Sequence, residues 1–193
     1  FSINSFNNDI WSLFLILKVI TIYGELSNDE RVNDVLLKAL QYIDRSINGT
    51  TIINWAHARY FECFIPILYL KRRIKDKKTQ AFLKELSIKL KSQGLDYKLA
   101  SNLWTKPRDY WSYDTHGVNI SMALKASELY KEVSGIDDGF RAKDMLNILD
   151  KYNPEICRQK MNYYIDKCIE RINKEKPQLI HFLCAGDIIS GII

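Results

Sequence analysis

Glycine and proline are scarce, with 8 and 4 among 193 residues, which argues against a disordered linker, a collagen-like repeat and a turn-rich all-β chain. No stretch alternates apolar and polar side chains with period two, so strands lack their usual signal. The cysteines are few and scattered. Cys63, Cys157, Cys168 and Cys184 form no C-x-x-C and no histidine is read as a fellow ligand, which argues against a zinc ribbon and leaves reduced core cysteines in a cytoplasmic compartment as the expectation. No basic segment leads into an apolar run and a small-residue cleavage site, so no export signal is read. The apolar run over 10–23 contains Lys18 and falls short of the roughly 20 residues a bilayer span requires, so it reads as a buried helix. Neither charge sign dominates. A net charge of +5 is mild, and the lysines, densest over 71–78, do not alternate with aromatics along one stripe. Neither nucleic acid nor a membrane is therefore expected as a partner.

What is present is apolar residues at helical spacing almost throughout, 47% of the chain being hydrophobic and 12% aromatic. The fold class is all-α, with enough apolar surface for a sizeable core. A first helix is expected over 9–23 with Gly24 ending it. A second opens on a capping box, the Ser27 hydroxyl and the Glu30 carboxylate each serving the other's backbone donor, and buries Val32, Val35, Leu36, Leu40 and Ile43. A third runs over 54–73, kinked at Pro66 and buried almost all round through Tyr60, Phe61, Phe64 and Leu68. A fourth spans 77–93, with Phe82, Leu83, Leu86 and Leu90 on one side and Gly94 in a left-handed C-terminal cap. A further pair follows, with Met122, Leu124, Leu129 and Val133 on its first helix, a stop at Gly135, and Met145 and Leu149 on its second.

These pairs suggest a repeating αα-hairpin of roughly 40–45 residues, as in an α-solenoid or a closed α/α toroid. The connection over 94–118 far exceeds the usual 2–8 residues between helices. Its segment YWSYDTHGVN (110–119) crowds aromatics, an acid and a histidine together. A long aromatic loop favours the toroid, whose loops form a funnel. The organisation read from the sequence is thus a partial toroid over 1–153 and a helical tail of unknown origin over 154–193.

Three segments, DIWSLFLILKVITIYGELSNDERV (9–32), NWAHARYFECFIPILYL (54–70) and THGVNISMALKASELYKEVSG (115–135), together resemble the helical catalytic domain of the DUF1680 glycoside hydrolases, the β-L-arabinofuranosidase-like enzymes of family 127. The resemblance covers about 9–150, and His-Gly-Val-Asn is its most specific element. It implies an incomplete α/α toroid, a carbohydrate ligand and hydrolysis of arabinose-containing glycans by the complete domain. It also implies a cysteine nucleophile near zinc, held with a Glu-x-Cys element and a Cys-Cys pair. Neither element is read in the sequence, which has no Cys-Cys pair. The nucleophile and the metal are therefore not carried onto Cys157, Cys168 or Cys184, no cofactor is expected in this chain, and the catalytic residues stay unassigned.

The residues matched by the resemblance also have a physical reading. His116 precedes a helix start, where its imidazole could meet a sugar hydroxyl or simply cap the helix. Asn119, on the first turn, offers a donor and an acceptor. Trp55 and Arg59 lie one helical turn apart, so an aromatic plane stands beside a guanidinium, as a sugar ring requires; equally, Trp55 could be core and Arg59 a staple between helices. Glu62 could pair with Arg59 or serve as an acid. Trp111 is the first choice for a pocket wall among Trp104, Tyr110, Trp111 and Tyr113, and Asp114 could orient His116 or cap the helix. A ring left open after about four hairpins would bare apolar faces carrying Trp11, Phe14, Leu17, Met161 and Ile165, so self-association is expected. The alternative class is a non-catalytic helical repeat module that binds a protein partner.

Overall fold

The computed structural model describes residues 10–106 and 117–152. Among these residues every regular element is helical and no strand occurs. In chain order they are α1 (Trp11–Ser27), α2 (Arg31–Ser46), α3 (Asn54–Ala58), a 3-10 turn (Tyr60–Cys63), α4 (Phe64–Arg73), α5 (Lys77–Gln93), α6 (Tyr97–Ala100), a second 3-10 turn (Ser101–Thr105), α7 (Gly117–Ala123), α8 (Ala126–Ser134) and α9 (Ala142–Tyr152). They fall into two units, Phe1–Asp96 with Ala126–Gly139, and Tyr97–Lys125 with Phe140–Ile193.

In the first unit α1 packs on α2, on α4 and on the first 3-10 turn, while α8 lies against α4 and α5. Phe14, Leu36, Phe61, Phe64, Leu83 and Val133 are fully enclosed between them. Cation–carbonyl contacts secure the helix ends. The Lys71 ammonium donates to the carbonyls of Glu132 and Val133 at 3.1 and 2.7 Å, at the C-terminal end of α8, where the helix dipole favours a cation. Lys89 donates to the Asp44 carbonyl and carboxylate at 2.8 and 2.7 Å, tying α5 to the last turn of α2. In the second unit α6 meets the 3-10 turn that follows it, and α9 packs on that same turn.

Several sequence expectations are corrected. Gly24 does not end α1, which continues to Ser27 and closes on Asn28 in the left-handed conformation (φ 54°). A side chain at Gly24 would instead collide with Tyr69 and Val32. No capping box forms; Asp29 accepts from the Arg31 backbone N–H at 3.0 Å, and Glu30 makes no side-chain cap. Val35 is exposed, unlike the other four residues of its expected face. The single helix over 54–73 is broken at Arg59 (φ −127°), so Pro66 falls in the first turn of α4, where a missing N–H is tolerated. Gly94 is extended (φ −86°), not left-handed, and its bare Cα faces the Tyr60 ring. The expected helix through 118–134 is split at Leu124 and Lys125, and short helices occupy part of the long connection. By contrast, α5 spans the residues expected of it, with Asp76 capping its start through the Thr79 N–H at 2.9 Å. Gly135 (φ +76°) stops α8, as its position after Ser134 implies.

At the α1–α2 corner, Arg31 grips Asp29 through its Nε at 2.9 and 3.1 Å and through a terminal nitrogen at 2.6 Å, while the Tyr23 hydroxyl donates at 3.4 Å. The Arg31 side chain and backbone donors hold the Asp29 carboxyl at about 2, below its ordinary range. Because the folded-state value is depressed, the stabilisation is complete above the ordinary carboxylate range and is lost as pH falls through about 2. A carboxyl-detected NMR titration of the folded chain is expected to place Asp29 there, and Arg31→Gln to return it toward the ordinary value. An Asp29 that titrates normally in the wild-type chain would contradict this fork geometry.

Candidate functional site

The strongest grouping of chemistry-bearing side chains lies where α1 meets α3 and the first 3-10 turn. Asn54 opens α3 in the left-handed conformation (φ 54°), which Asn tolerates better than most residues. The break after Ala58 puts Arg59 outside the helix, and the Arg59 carbonyl accepts the Glu62 N–H at 3.0 Å, starting the tighter 3-10 turn.

Arg59 lies against two indoles. Its guanidinium carbon is 4.5 Å from the centre of the Trp55 ring and 4.8 Å from that of Trp11, which begins α1. Both rings attract the guanidinium through cation–π contact, which restrains where it sits. Trp55 is 38% exposed, enough of the ring to meet a ligand. Of the core-and-staple reading, the staple holds, since Arg59 contacts an indole of α1 and one of α3, but Trp55 is exposed instead of core.

Two turns along α1 from Trp11, Lys18 reaches Glu62. Its ammonium is 3.4 Å from a carboxylate oxygen, with side-chain exposures of 10% and 0%. This is an enclosed ion pair between α1 and the first 3-10 turn. The single lysine within an otherwise apolar run was its sequence signal, since a lone buried charge needs a partner. The partner could not be read from the sequence, because Glu62 is 44 positions away. Cys63, next to Glu62, is fully buried, and burial pushes its thiol well above the ordinary range, which makes it an unreactive core residue.

Of the five expected ligand-binding residues, Trp55 and Arg59 are together as described, and Trp11 joins them. Asn119 is buried in α7 of the second unit. Trp111 and His116 lie outside the described residues, as do Tyr110, Tyr113, Asp114, Cys157, Cys168 and Cys184. The sequence also holds the triplet Glu155-Ile156-Cys157, which has Glu-x-Cys spacing; it too lies outside the described residues, and no Cys-Cys pair accompanies it. Among the described residues no three His, Cys, Asp or Glu side chains group as a metal site would need. Among them, too, no helix is long and apolar enough to cross a membrane. No known protein family, curated protein or solved structure matches this chain.

Proposed function

We propose that this chain is part of a carbohydrate-active domain of the β-L-arabinofuranosidase-like type, with its helices belonging to an incomplete α/α toroid. Its described contribution to sugar recognition is the Trp11–Arg59–Trp55 stack. That stack is the observation that supports the reading: an exposed indole offers its face to sugar C–H groups while a fixed guanidinium beside it donates to hydroxyls. The enclosed Lys18–Glu62 pair anchors the elements that carry it. His116, Trp111 and Asn119 enter the proposal through the resemblance of the His-Gly-Val-Asn segment.

The test is tryptophan fluorescence of the purified chain titrated with arabino-oligosaccharides, with cello-oligosaccharides as the contrast. Saturable change with the former, lost in Trp55→Ala and weakened in Arg59→Lys, is the expected result. No change up to tens of millimolar, on the order of the weakest useful affinity, would overturn the proposal. The chain alone is expected to leave chromogenic arabinofuranosides intact, because the Cys-Cys element is missing. Turnover abolished by Cys157→Ser would instead place a nucleophile at that position.

A non-catalytic module that docks a protein is the second reading. It is favoured by an uncharged apolar stripe on α1, where Leu15, Ile16, Val19, Tyr23 and Leu26 are exposed while Phe14 and Leu17, expected on a bare face, are covered.

A further inference from the structure

The turn after α2 holds a reactive pair that the sugar reading leaves unused. Asn48-Gly49 is the one asparagine–glycine step in the sequence, and Asn48, Gly49 and Thr50 are all exposed. Glycine in second place matters because no Cβ shields its nitrogen from the preceding side chain. Gly49 lies in the left-handed region (φ +79°), with nothing within 4 Å of where a Cβ would stand. The Asn48 backbone N–H reaches the Arg45 carbonyl at 3.3 Å, but among the described residues neither the Asn48 carboxamide nor the Gly49 N–H is hydrogen-bonded. The flanks, by contrast, are held. Gln93 donates to the Ile47 carbonyl at 3.1 Å and accepts the Ile52 N–H at 3.2 Å, and the Thr50 hydroxyl donates to the Ser46 carbonyl at 2.7 Å. The aspartate–glycine step Asp138-Gly139 is open by its sequence to the same ring closure. Its structure differs. The Gly139 N–H donates to the Asp137 carboxylate at 2.9 Å, while the Asp138 carboxylate accepts from the Ser127 hydroxyl at 3.1 Å and lies 3.6 Å from the Lys91 ammonium. Nucleophile and electrophile are both held there, and neither is at Asn48-Gly49.

We propose that Asn48 is a site of spontaneous deamidation in the folded chain, with water as the co-reactant and an isoaspartyl linkage as the main product. The Gly49 nitrogen gives up its proton to hydroxide or buffer and attacks the Asn48 Cγ. A bond forms between them, the Cγ–Nδ2 bond breaks, and Nδ2 leaves as ammonia, so that a succinimide remains. Water then opens the ring. Cleavage of the bond from the Gly49 nitrogen to the Asn48 backbone carbonyl carbon gives isoaspartate, and cleavage of its bond to Cγ gives aspartate; nothing is oxidised or reduced. Either product places a carboxylate just past the end of α2, at the negative pole of the helix dipole. Isoaspartate also adds a methylene to the main chain inside the loop that Gln93 and the Thr50–Ser46 bond close.

The experiment is incubation of the full chain at neutral pH and body temperature, followed by peptide mapping with mass spectrometry and by counting isoaspartyl groups through methyl transfer from an isoaspartyl methyltransferase. The same chain unfolded in guanidinium chloride is the reference. The expected result is first-order conversion of Asn48, its NH2 replaced by OH, at a rate within about threefold of the unfolded chain's, while isomerisation at Asp138-Gly139 is at least about tenfold slower folded than unfolded. Asn48→Gln should remove the isoaspartyl signal, since the longer side chain closes its ring far more slowly. An Asn48 that stays intact in the folded chain while the unfolded chain deamidates there overturns the proposal. So does an isoaspartyl signal that Asn48→Gln leaves unchanged, or equal suppression by folding at both steps.

Discussion

Replacing Lys18 with Met is expected to cost about 3–5 kcal/mol of folding stability, because it removes the Lys18 ammonium from a fully buried carboxylate. The loss is in the desolvation of Glu62, not in the value of the pair itself. Two charges withdrawn from water recover from each other little more than they gave up, so removing both partners should be far milder than removing one. The double variant Lys18→Met with Glu62→Gln is therefore expected to regain most of the stability lost in Lys18→Met. Urea unfolding followed by circular dichroism gives both numbers and their coupling. A loss below about 1 kcal/mol in Lys18→Met would mean that Glu62 is solvated like a surface acid, which contradicts its enclosure. The same cycle bears on function. If Glu62 is only the anchor of the indole–guanidinium stack, sugar binding by the folded double variant survives.

Among Gly24, Gly49, Gly94, Gly135 and Gly139, Gly94→Ala should be the most damaging, since its Cβ would come nearest to a neighbour. A Cβ there would overlap the Tyr60 ring, and Tyr60 cannot retreat, since Phe61 and Phe64 meet it edge-on with centroids at 5.6 Å. Overpacking of this kind costs about 1–3 kcal/mol, and collision with a wedged ring belongs at the upper end. Gly135→Ala is the control. Its φ of +76° is left-handed but open space surrounds it, so only backbone strain of about 1 kcal/mol is expected. Asn at position 94 distinguishes the causes. A left-handed cap would accept Asn nearly as well as Gly, whereas a site closed by Tyr60 should reject Asn at least as strongly as Ala. Thermal unfolding of the three variants orders them, and a benign Gly94→Asn would show that the tyrosine ring yields.

Local chemistry made the all-α class, the α5 boundaries, the Gly135 stop and the burial of Leu36, Leu40 and Ile43 legible in the sequence alone, because helical periodicity and capping act over a few neighbouring residues. What depended on neighbours distant in the chain was not legible. Gly24 looks like a helix stop and is not one, and Gly94 ends α5 without the left-handed cap expected of it; a side chain at either would collide with Tyr69 or Tyr60, packed there from elsewhere in the unit. Trp55 and Arg59 could be paired from their spacing. Trp11, which completes the stack, comes from another helix. Lys18 announced a buried charge without naming Glu62. The outer stripe of α1 is as apolar as its inner one, so composition assigned the whole helix to the interior. Only the packing of α2, α4 and the 3-10 turn against one side decided which half was enclosed, since hydrophobic burial is non-directional and a helix apolar all round gives no preferred face.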